Sequence, residues 1–386
     1  KGLIIFMNNK PISHKPRQQR DLERIKILFL TLNPNIQGPM PKLAPVLIQE
    51  LENLGCQVTR STWGRRSENE NPFQKTFDRF ADIYNMLRQL FIIKPDILYI
   101  DTSLDERSLI RDFPLLVAAS WFPVKKVLKI NGSKTALLIE PRHNLYKLLA
   151  RFLIHRSHAI LLLSDEGMQQ WNYFEPKGRY YHVDNPFIPE KRLKSEINLN
   201  IVSKANLSPT LLFVGRLIKD KGIFELLEAM TEILKHVDCH LLIAGDGNEK
   251  EEIIRRIKNF KLENSMSLLG YLDATKLHEV YLKSTILIHP SYREGFPTAI
   301  IEAMSFGLPI ITTPVGGIPD HLQNGVNALF IKPKDPEAVA NAVVRLLNDP
   351  KLCLEMQCAN LDKVKEFLPE NVAHTYVEIF SELLGR

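Results

Sequence analysis

Short apolar runs alternate with longer amphipathic stretches along most of the chain. In the first half the runs are Ile25–Leu30, Cys56–Thr59, Ile97–Ile100, Val127–Ile130, Ala159–Leu163 and Tyr180–Val183. In the second half they are Leu211–Val214, His240–Ala244, Ser267–Leu269, Ile286–His289, Ile310–Thr312 and Leu329–Ile331. A strand that reads as a continuous apolar run is buried on both faces, the property of a parallel sheet covered by helices. The stretches between have the helical period. Ile223, Leu226, Leu227, Met230, Ile233 and Leu234 form one stripe, with Glu225, Glu228, Glu232 and Lys235 mostly outside it. The pattern predicts an α/β protein of two doubly wound, Rossmann-like domains.

The chain of 386 residues is too long for one ordinary core. The seam falls in Asn185–Pro209, a polar segment with three prolines and no strong period. The expected organisation is a basic extension over 1–24, a first domain over 25–190, a linker over 191–206, a second domain over 207–366 and a last amphipathic segment over 367–386. There is no internal repeat beyond the alternation and no low-complexity tract.

Composition narrows the class. The chain is 45% hydrophobic and 24% charged, a soluble globular balance. No run of eighteen apolar residues is present, so no membrane span is predicted. The apolar Gly2–Met7 is short, is followed by basic polar sequence, and does not read as a signal peptide. The four cysteines (Cys56, Cys239, Cys353, Cys358) lack CxxC or other metal-like spacing, and read as reduced thiols rather than zinc ligands.

The net charge of +6 is unevenly spread. Residues 1–195 hold 30 basic and 19 acidic side chains, and residues 196–386 hold 20 and 25. A basic first half points to an anionic contact. The stretch Leu145–Ile160 reads either as a core-facing helix with a solvated face or as a membrane-surface helix. Trp121-Phe122 followed by Lys125, Lys126 and Lys129 favours contact with anionic lipid or an anionic acceptor.

In open α/β sheets ligands bind beyond the carboxyl ends of the strands. In the second half that edge receives Gly215-Arg216 through Lys221-Gly222, Gly245-Asp246-Gly247, Gly270-Tyr271, and the stretch SYREGFPTAIIEAMSFGLPIITTPVGGIPD from Ser291 to Asp320. Pro297 suits the first turn of a helix continuing through Thr298–Met304. The free N–H groups of that turn form an anion site. Glu294 stands at its lip, and Glu302 about one and a half turns in. The two carboxylates are acceptors, suited to sugar or ribose hydroxyls beside an anion. Arg216 offers a planar fork and Lys221 a compact charge, which together can hold a diphosphate as it leaves. Gly245-Asp246-Gly247 reads first as a turn, and Gly316, Gly317 and Pro319 as a turn shaping the pocket.

These motifs carry a resemblance. Val-Gly-Arg216 to Lys221-Gly, Ala-Gly-Asp-Gly, Pro-Ser to Glu294-Gly-Phe-Pro to Glu302-Ala-Met, Gly-Leu-Pro-Ile-Ile and Val-Gly-Gly-Ile-Pro together resemble the retaining glycosyltransferases of family 4 (glycosyl transferases group 1), over nearly all of 205–345. The resemblance implies the GT-B fold, with two Rossmann-like domains facing each other across a cleft and the last helix crossing back to the first. It implies that the first domain binds a glycan or lipid-linked acceptor, and the second a nucleoside-diphosphate sugar of UDP or GDP type. Arg216 and Lys221 would bind the donor diphosphate, Glu294 the hydroxyls of the transferred sugar, and Glu302 the ribose. Gly215, Gly295, Phe296, Pro297 and Thr298 would bring backbone to phosphate and sugar, and Gly270, Tyr271 and Leu272 would border the base. Arg216, Lys221 and Glu294 are the catalytic candidates.

The first half resembles the family more faintly. Gly38, in Thr31–Pro41, would approach the diphosphate, although a pair of glycines is common there. Asn131 stands where many members carry a histidine, and is the acceptor or sugar candidate; His143 and His158 do not match the pattern. There is no D-x-D motif. The resemblance therefore implies no metal and no cofactor, with front-face substitution and retention. The implied setting is cell-surface polysaccharide or glycolipid synthesis, in the cytoplasm or peripherally on the inner face of the membrane, without nucleic acid. Two other readings stay open: a sugar-nucleotide epimerase on the same fold, and an inactive donor-binding subunit of a glycan-synthesis complex. A dehydrogenase is disfavoured, because no dinucleotide fingerprint follows the first strand.

Overall fold

A computed structural model describes residues 25–33, 39–64, 66, 72–131, 144–188 and 208–386. The extension over 1–24, the linker over 191–206, Gly38 and His143 lie outside the described residues.

The first half alternates strands and helices: β1 (Lys26–Thr31), α1 (Pro39–Asn53), β2 (Gln57–Thr62), α2 (Pro72–Ile93), β3 (Ile97–Thr102), α3 (Glu106–Ala119), β4 (Lys125–Ile130), α4 (Asn144–Arg156), β5 (Ala159–Leu162), α5 (Asp165–Phe174) and β6 (Tyr180–His182). The second half continues with β7 (Thr210–Val214), α6 (Ile223–Ile233), β8 (His240–Ala244), α7 (Lys250–Asn259), β9 (Met266–Gly270), α8 (Ala274–Lys283), β10 (Ile286–His289), α9 (Thr298–Ser305), β11 (Ile310–Thr312), α10 (Ile318–His321), β12 (Ala328–Phe330), α11 (Pro336–Asn348), α12 (Pro350–Lys363) and α13 (Pro369–Leu384). Every sequence-predicted strand is found, within a few residues at its ends.

The two six-stranded sheets run β2-β1-β3-β4-β5-β6 and β12-β11-β10-β7-β8-β9, with parallel pairing throughout. In the first, strand order reverses between β1 and β3; in the second, between β7 and β10. Chain connections leave to opposite faces at such a point, opening a crevice beyond the strand ends. This places the Arg216–Lys221 loop beside the Glu294 loop, although they are far apart in sequence.

The helices are fixed by local chemistry. Ser164 caps α5 by accepting from the Gly167 N–H, and Asp273 caps α8 by accepting from the Lys276 N–H. The stripe of α6 is buried as its period requires. Pro297 is a correction to the sequence reading. It is the N-cap of α9, with extended backbone (ψ 130°), rather than a residue of the first turn. Its ring fixes φ, and the extended ψ sets the angle at which the Glu294 loop enters the helix.

The last helix completes the first half. Val372, Ala373, Tyr376, Val377, Phe380 and Leu383 pack with Phe29, Val127 and Leu161 in one core. Tyr376 meets Tyr99 with ring centroids 5.9 Å apart, and the Tyr181 hydroxyl donates to Glu382 at 2.9 Å. Each large apolar side chain contributes roughly 1.5–3 kcal/mol on burial, enough to hold a terminal helix against fraying. Among the described residues no helix is long and apolar enough to cross a membrane.

Candidate active site

The site is built on the carboxyl ends of β7 and β10. After β7 the chain turns through Gly215 and a short 3-10 turn, Lys219–Lys221, into α6. Gly222 ends that turn at φ 68°, where a Cβ would lie 2.1 Å from the Pro290 carbonyl. Glycine lets this turn press against the β10 loop. The contact is fastened by the Tyr292 N–H donating to the Asp220 carbonyl at 2.8 Å and the Ser291 hydroxyl donating to the same oxygen at 3.1 Å. Lys221 is thereby aimed at Glu294.

Glu294 is the centre of the arrangement. Its Oε1 accepts from the Lys221 ammonium in a close ion pair, and from His289 Nε2 at 2.7 Å. His289 ends β10 and is almost fully buried. Burial works against ionisation of Glu294, but the His289 bond and charge, joined by Lys221, outweigh it and hold the carboxyl down to about 2. Behind the loop, the Gly317 N–H donates to the Gly295 carbonyl at 2.5 Å. A Cβ on Gly316, at φ 60°, would lie 1.9 Å from the Glu294 carbonyl, so the Val-Gly-Gly turn is the wall on which Glu294 rests.

Arg216 sits differently. Its side chain is exposed, and among the described residues its guanidinium has no ion-pair partner. Its backbone is held: the Leu217 N–H donates to the Asp246 carbonyl at 2.9 Å and the Glu249 N–H to the Leu217 carbonyl at 3.0 Å. Gly245-Asp246-Gly247 is thus a buttress under the Arg216 loop, in keeping with its reading as a turn. An exposed guanidinium and a caged ion pair share one loop, which is the arrangement an incoming polyanion can exploit.

Along α9, Glu302 accepts from the Tyr281 hydroxyl at 2.8 Å. That hydroxyl also approaches the Ala299 carbonyl at 3.3 Å, so Tyr281 orients the carboxylate against its own helix. Thr298 is exposed at the helix start, where the first N–H groups have no intrahelical acceptor. Phe296 turns the other way, stacking on Phe367 at 5.2 Å and packing against His321 at 4.5 Å, so its side chain packs rather than facing the crevice. Gly270 is at φ 69° with open space where a Cβ would lie. Tyr271 is exposed and Leu272 half-buried beside it.

In the first half Asn131 follows β4 and donates to Asp101 Oδ1 at 3.1 Å, while its own Oδ1 is buried without a hydrogen bond among the described residues. Asp101 carries no signal in the sequence beyond closing the apolar run ILYI. Burial pushes its carboxyl up to about 6, against the Tyr99 and Asn131 bonds and the nearby Lys129 charge. The structure also corrects the basic patch. Lys129 is fully buried and donates to the Val183 carbonyl, and Lys126 is buried too, because both lie in a central strand. They cannot face lipid. His158 accepts from the Lys126 N–H at 3.1 Å and, desolvated, is pushed down to about 4, in no site.

Residues 195–360 match the family model described as glycosyl transferases group 1. The chain is 27% identical over 271 residues to an N-acetyl-alpha-D-glucosaminyl L-malate synthase of Bacillus anthracis, covering 68% of each chain. It is 28% identical over 232 residues to an uncharacterized glycosyltransferase of Methanocaldococcus jannaschii, the match spanning 58% of this chain and 60% of that one. Among solved structures it is similar to a sucrose-phosphate synthase from Thermosynechococcus elongatus, with TM-score 0.71 at 19% identity over 94% of this chain and all of that one. It is similar also to HepE of Anabaena, solved with UDP and glucose, with TM-score 0.68 at 18% identity over 93% and 100%. The fold is that of these GT-B glycosyltransferases.

Proposed function

We propose that this chain, whose residues 195–360 belong to the glycosyl transferases group 1 family on a two-domain GT-B fold, transfers a sugar from a nucleoside diphosphate to a hydroxyl acceptor, with retention. One observation carries the reading. Arg216 is exposed, with no ion-pair partner among the described residues, and Lys221 is caged on Glu294, both on the loop after β7 at the point where strand order reverses.

In this reading a donor diphosphate binds Arg216 first, then draws Lys221 off Glu294. The released carboxylate, still oriented by His289, accepts from hydroxyls of the transferred sugar. Thr298 and the first amides of α9 receive the phosphate next to the sugar, and Glu302, steadied by Tyr281, accepts from the ribose. Tyr271 covers the base. The bond from the sugar's anomeric carbon to the diphosphate oxygen breaks, and a bond to the acceptor oxygen forms on the same face. The acceptor proton passes to the departing diphosphate, whose charge Arg216 and Lys221 stabilise. No residue of this set asks for a metal. In this reading Asn131, steadied by its bond to the buried Asp101, contacts the acceptor from the first half.

Calorimetric titration with UDP, GDP, ADP and CMP tests the donor site. One diphosphate is expected to bind at micromolar strength, and Arg216→Ala to weaken it by about 1.5–3 kcal/mol, the worth of a charged hydrogen bond. No binding by any of them would remove the donor reading and favour an inactive subunit. Release of the sugar's epimer without an acceptor would instead favour the epimerase.

A membrane-associated acceptor fits a second feature. Helices α2, α3 and α4 form a layer on one face of the first sheet. The outer side of α2 exposes Phe77, Phe80, Tyr84, Phe91 and Ile92, with Arg79 and Arg88 between them, and α4 adds Leu145 and Leu148. An apolar helical face with interspersed arginines suits an anionic bilayer surface. Sedimentation with vesicles containing phosphatidylglycerol is expected to retain the protein, and a Phe80→Glu, Phe91→Glu variant to lose most of that binding. Equal retention of the variant would refute this contact.

A further inference from the structure

The junction of the two halves holds a cluster that the transfer reaction does not use. His182 ends β6, Asp184 follows two residues later, and His321 ends α10 in the second half. His182 and His321 pack edge to face, with ring centroids 5.3 Å apart. His182 Nε2, Asp184 Oδ1 and His321 Nε2 are all buried, and none makes a hydrogen bond of normal geometry among the described residues. Yet His321 Nε2 is 2.9 Å and His182 Nε2 3.5 Å from Asp184 Oδ1. One ligand atom from each residue lies within 4.8 Å of the others. Two imidazole nitrogens and a carboxylate oxygen thus gather in one place at the junction.

The other nitrogen of His182 supports this geometry. Its Nδ1 lies 2.9 Å from Asp165 Oδ1, and in the tautomer that donates to Asp165 the lone pair of Nε2 is presented to the cluster. A carboxylate behind an imidazole is the outer support common to metal-bound histidines. The His321 ring is oriented by Phe296 at 4.5 Å and Phe367 at 4.9 Å. The nearby Asp320 is engaged elsewhere, accepting from the Asp165 N–H at 2.8 Å.

We propose that His182, Asp184 and His321 bind one divalent transition-metal ion, preferentially zinc, which straps the two halves together. Two imidazole nitrogens and a carboxylate oxygen are a zinc donor set, with water completing the shell. Ligands about 2.0–2.2 Å from a tetrahedral ion lie roughly 3.3–3.6 Å from one another. The His182 separation from Asp184 already has that length, the His321 separation is a few tenths of an ångström short of it, and all three atoms lie within 4.8 Å of one another, so side-chain adjustment would close the shell. The strap would reinforce contacts already joining the halves, including the Gly316 N–H donating to Glu166 at 3.0 Å. Because Phe296 packs on His321, the ion would also steady the loop that carries Glu294. The proposal stands apart from the donor reading: it needs no nucleotide and no catalysis.

The full chain, stripped with a chelator, would be titrated with zinc chloride against a competing chromophoric chelator, and metal content measured after desalting. One zinc per chain is expected, with affinity lowered at least 100-fold in His321→Ala and Asp184→Asn, and about 10–100-fold in Asp165→Asn. Cys358→Ser, which removes an exposed thiol, is expected to leave the stoichiometry unchanged. Failure of the wild type to retain zinc, or equal retention in His321→Ala, would overturn the proposal and leave an ion-pair latch. If the variants do not fold, X-ray absorption on the zinc-loaded wild type decides. Two imidazoles with oxygen support the site; a sulfur-containing or all-water shell overturns it.

Discussion

Arg216→Ala is expected to lower kcat/KM for transfer by about 10²–10³ and to leave the melting temperature within about 1–2 °C of wild type. The two halves of that expectation have one cause. The Arg216 guanidinium is exposed, with no ion-pair partner among the described residues, so the folded protein loses little when it is removed. In the proposed reaction its worth begins when the donor diphosphate binds and grows as that diphosphate takes up charge in the transition state. Arg216→Lys keeps the charge and loses the fork, and is expected to fall between. Lys221→Ala gives the contrasting signature. It removes the same kind of charge from the leaving group, but also uncovers the largely buried Glu294 carboxylate, so activity and stability fall together. Steady-state kinetics beside thermal melts separate the cases. An active Arg216→Ala enzyme would mean that the diphosphate is held elsewhere.

The two sheets are legible in the sequence because parallel strands buried on both faces leave continuous apolar runs. Leu211–Val214 and Ile286–His289 could hardly be anything else. Arg216, Lys221 and Glu294 stand out in the sequence because each lies in a loop that follows a strand, Glu302 because it lies within the helix that the Glu294 loop enters, and all four because five motifs occur in order. What depends on contacts between distant segments is concealed. His289 looks like the polar end of a strand, yet it is the buried partner of Glu294. Tyr281 reads as part of an amphipathic helix, and its hydroxyl orients Glu302. Lys129 reads as a surface cation because composition cannot distinguish a solvated lysine from one sealed in a central strand, with its ammonium on the Val183 carbonyl. The His182, Asp184 and His321 cluster leaves no spacing signal, since its members lie on two domains. Phe296 lies in the Glu294-Gly-Phe-Pro motif, but its ring belongs to the packing between α10 and the turn at 364–367.

Glu294→Ala is expected to destabilise the protein by about 3–5 kcal/mol at neutral pH, because it leaves Lys221 and His289 with their shared acceptor removed from a largely buried site. Glu294→Gln keeps the shape and one acceptor oxygen, and is expected to cost less while still abolishing most transfer. The acid limb of stability separates charge from shape. The carboxyl is held down to about 2, from an ordinary value near 4.5. A group whose folded value is depressed contributes its stability above the unfolded value and loses it as pH falls through the folded one. The contribution is therefore complete above about pH 4.5 and disappears toward pH 2. A depression of that size corresponds to about 3 kcal/mol. Chemical denaturation of wild type and Glu294→Gln should accordingly show a gap at about pH 6 that narrows as pH falls from about 4.5 to about 2.5, with the Gln variant less sensitive to acid throughout that window. A gap that stays constant would mean that the charge on Glu294 is not what holds Lys221 and His289 in place, and that Lys221 already stands free to meet its anion.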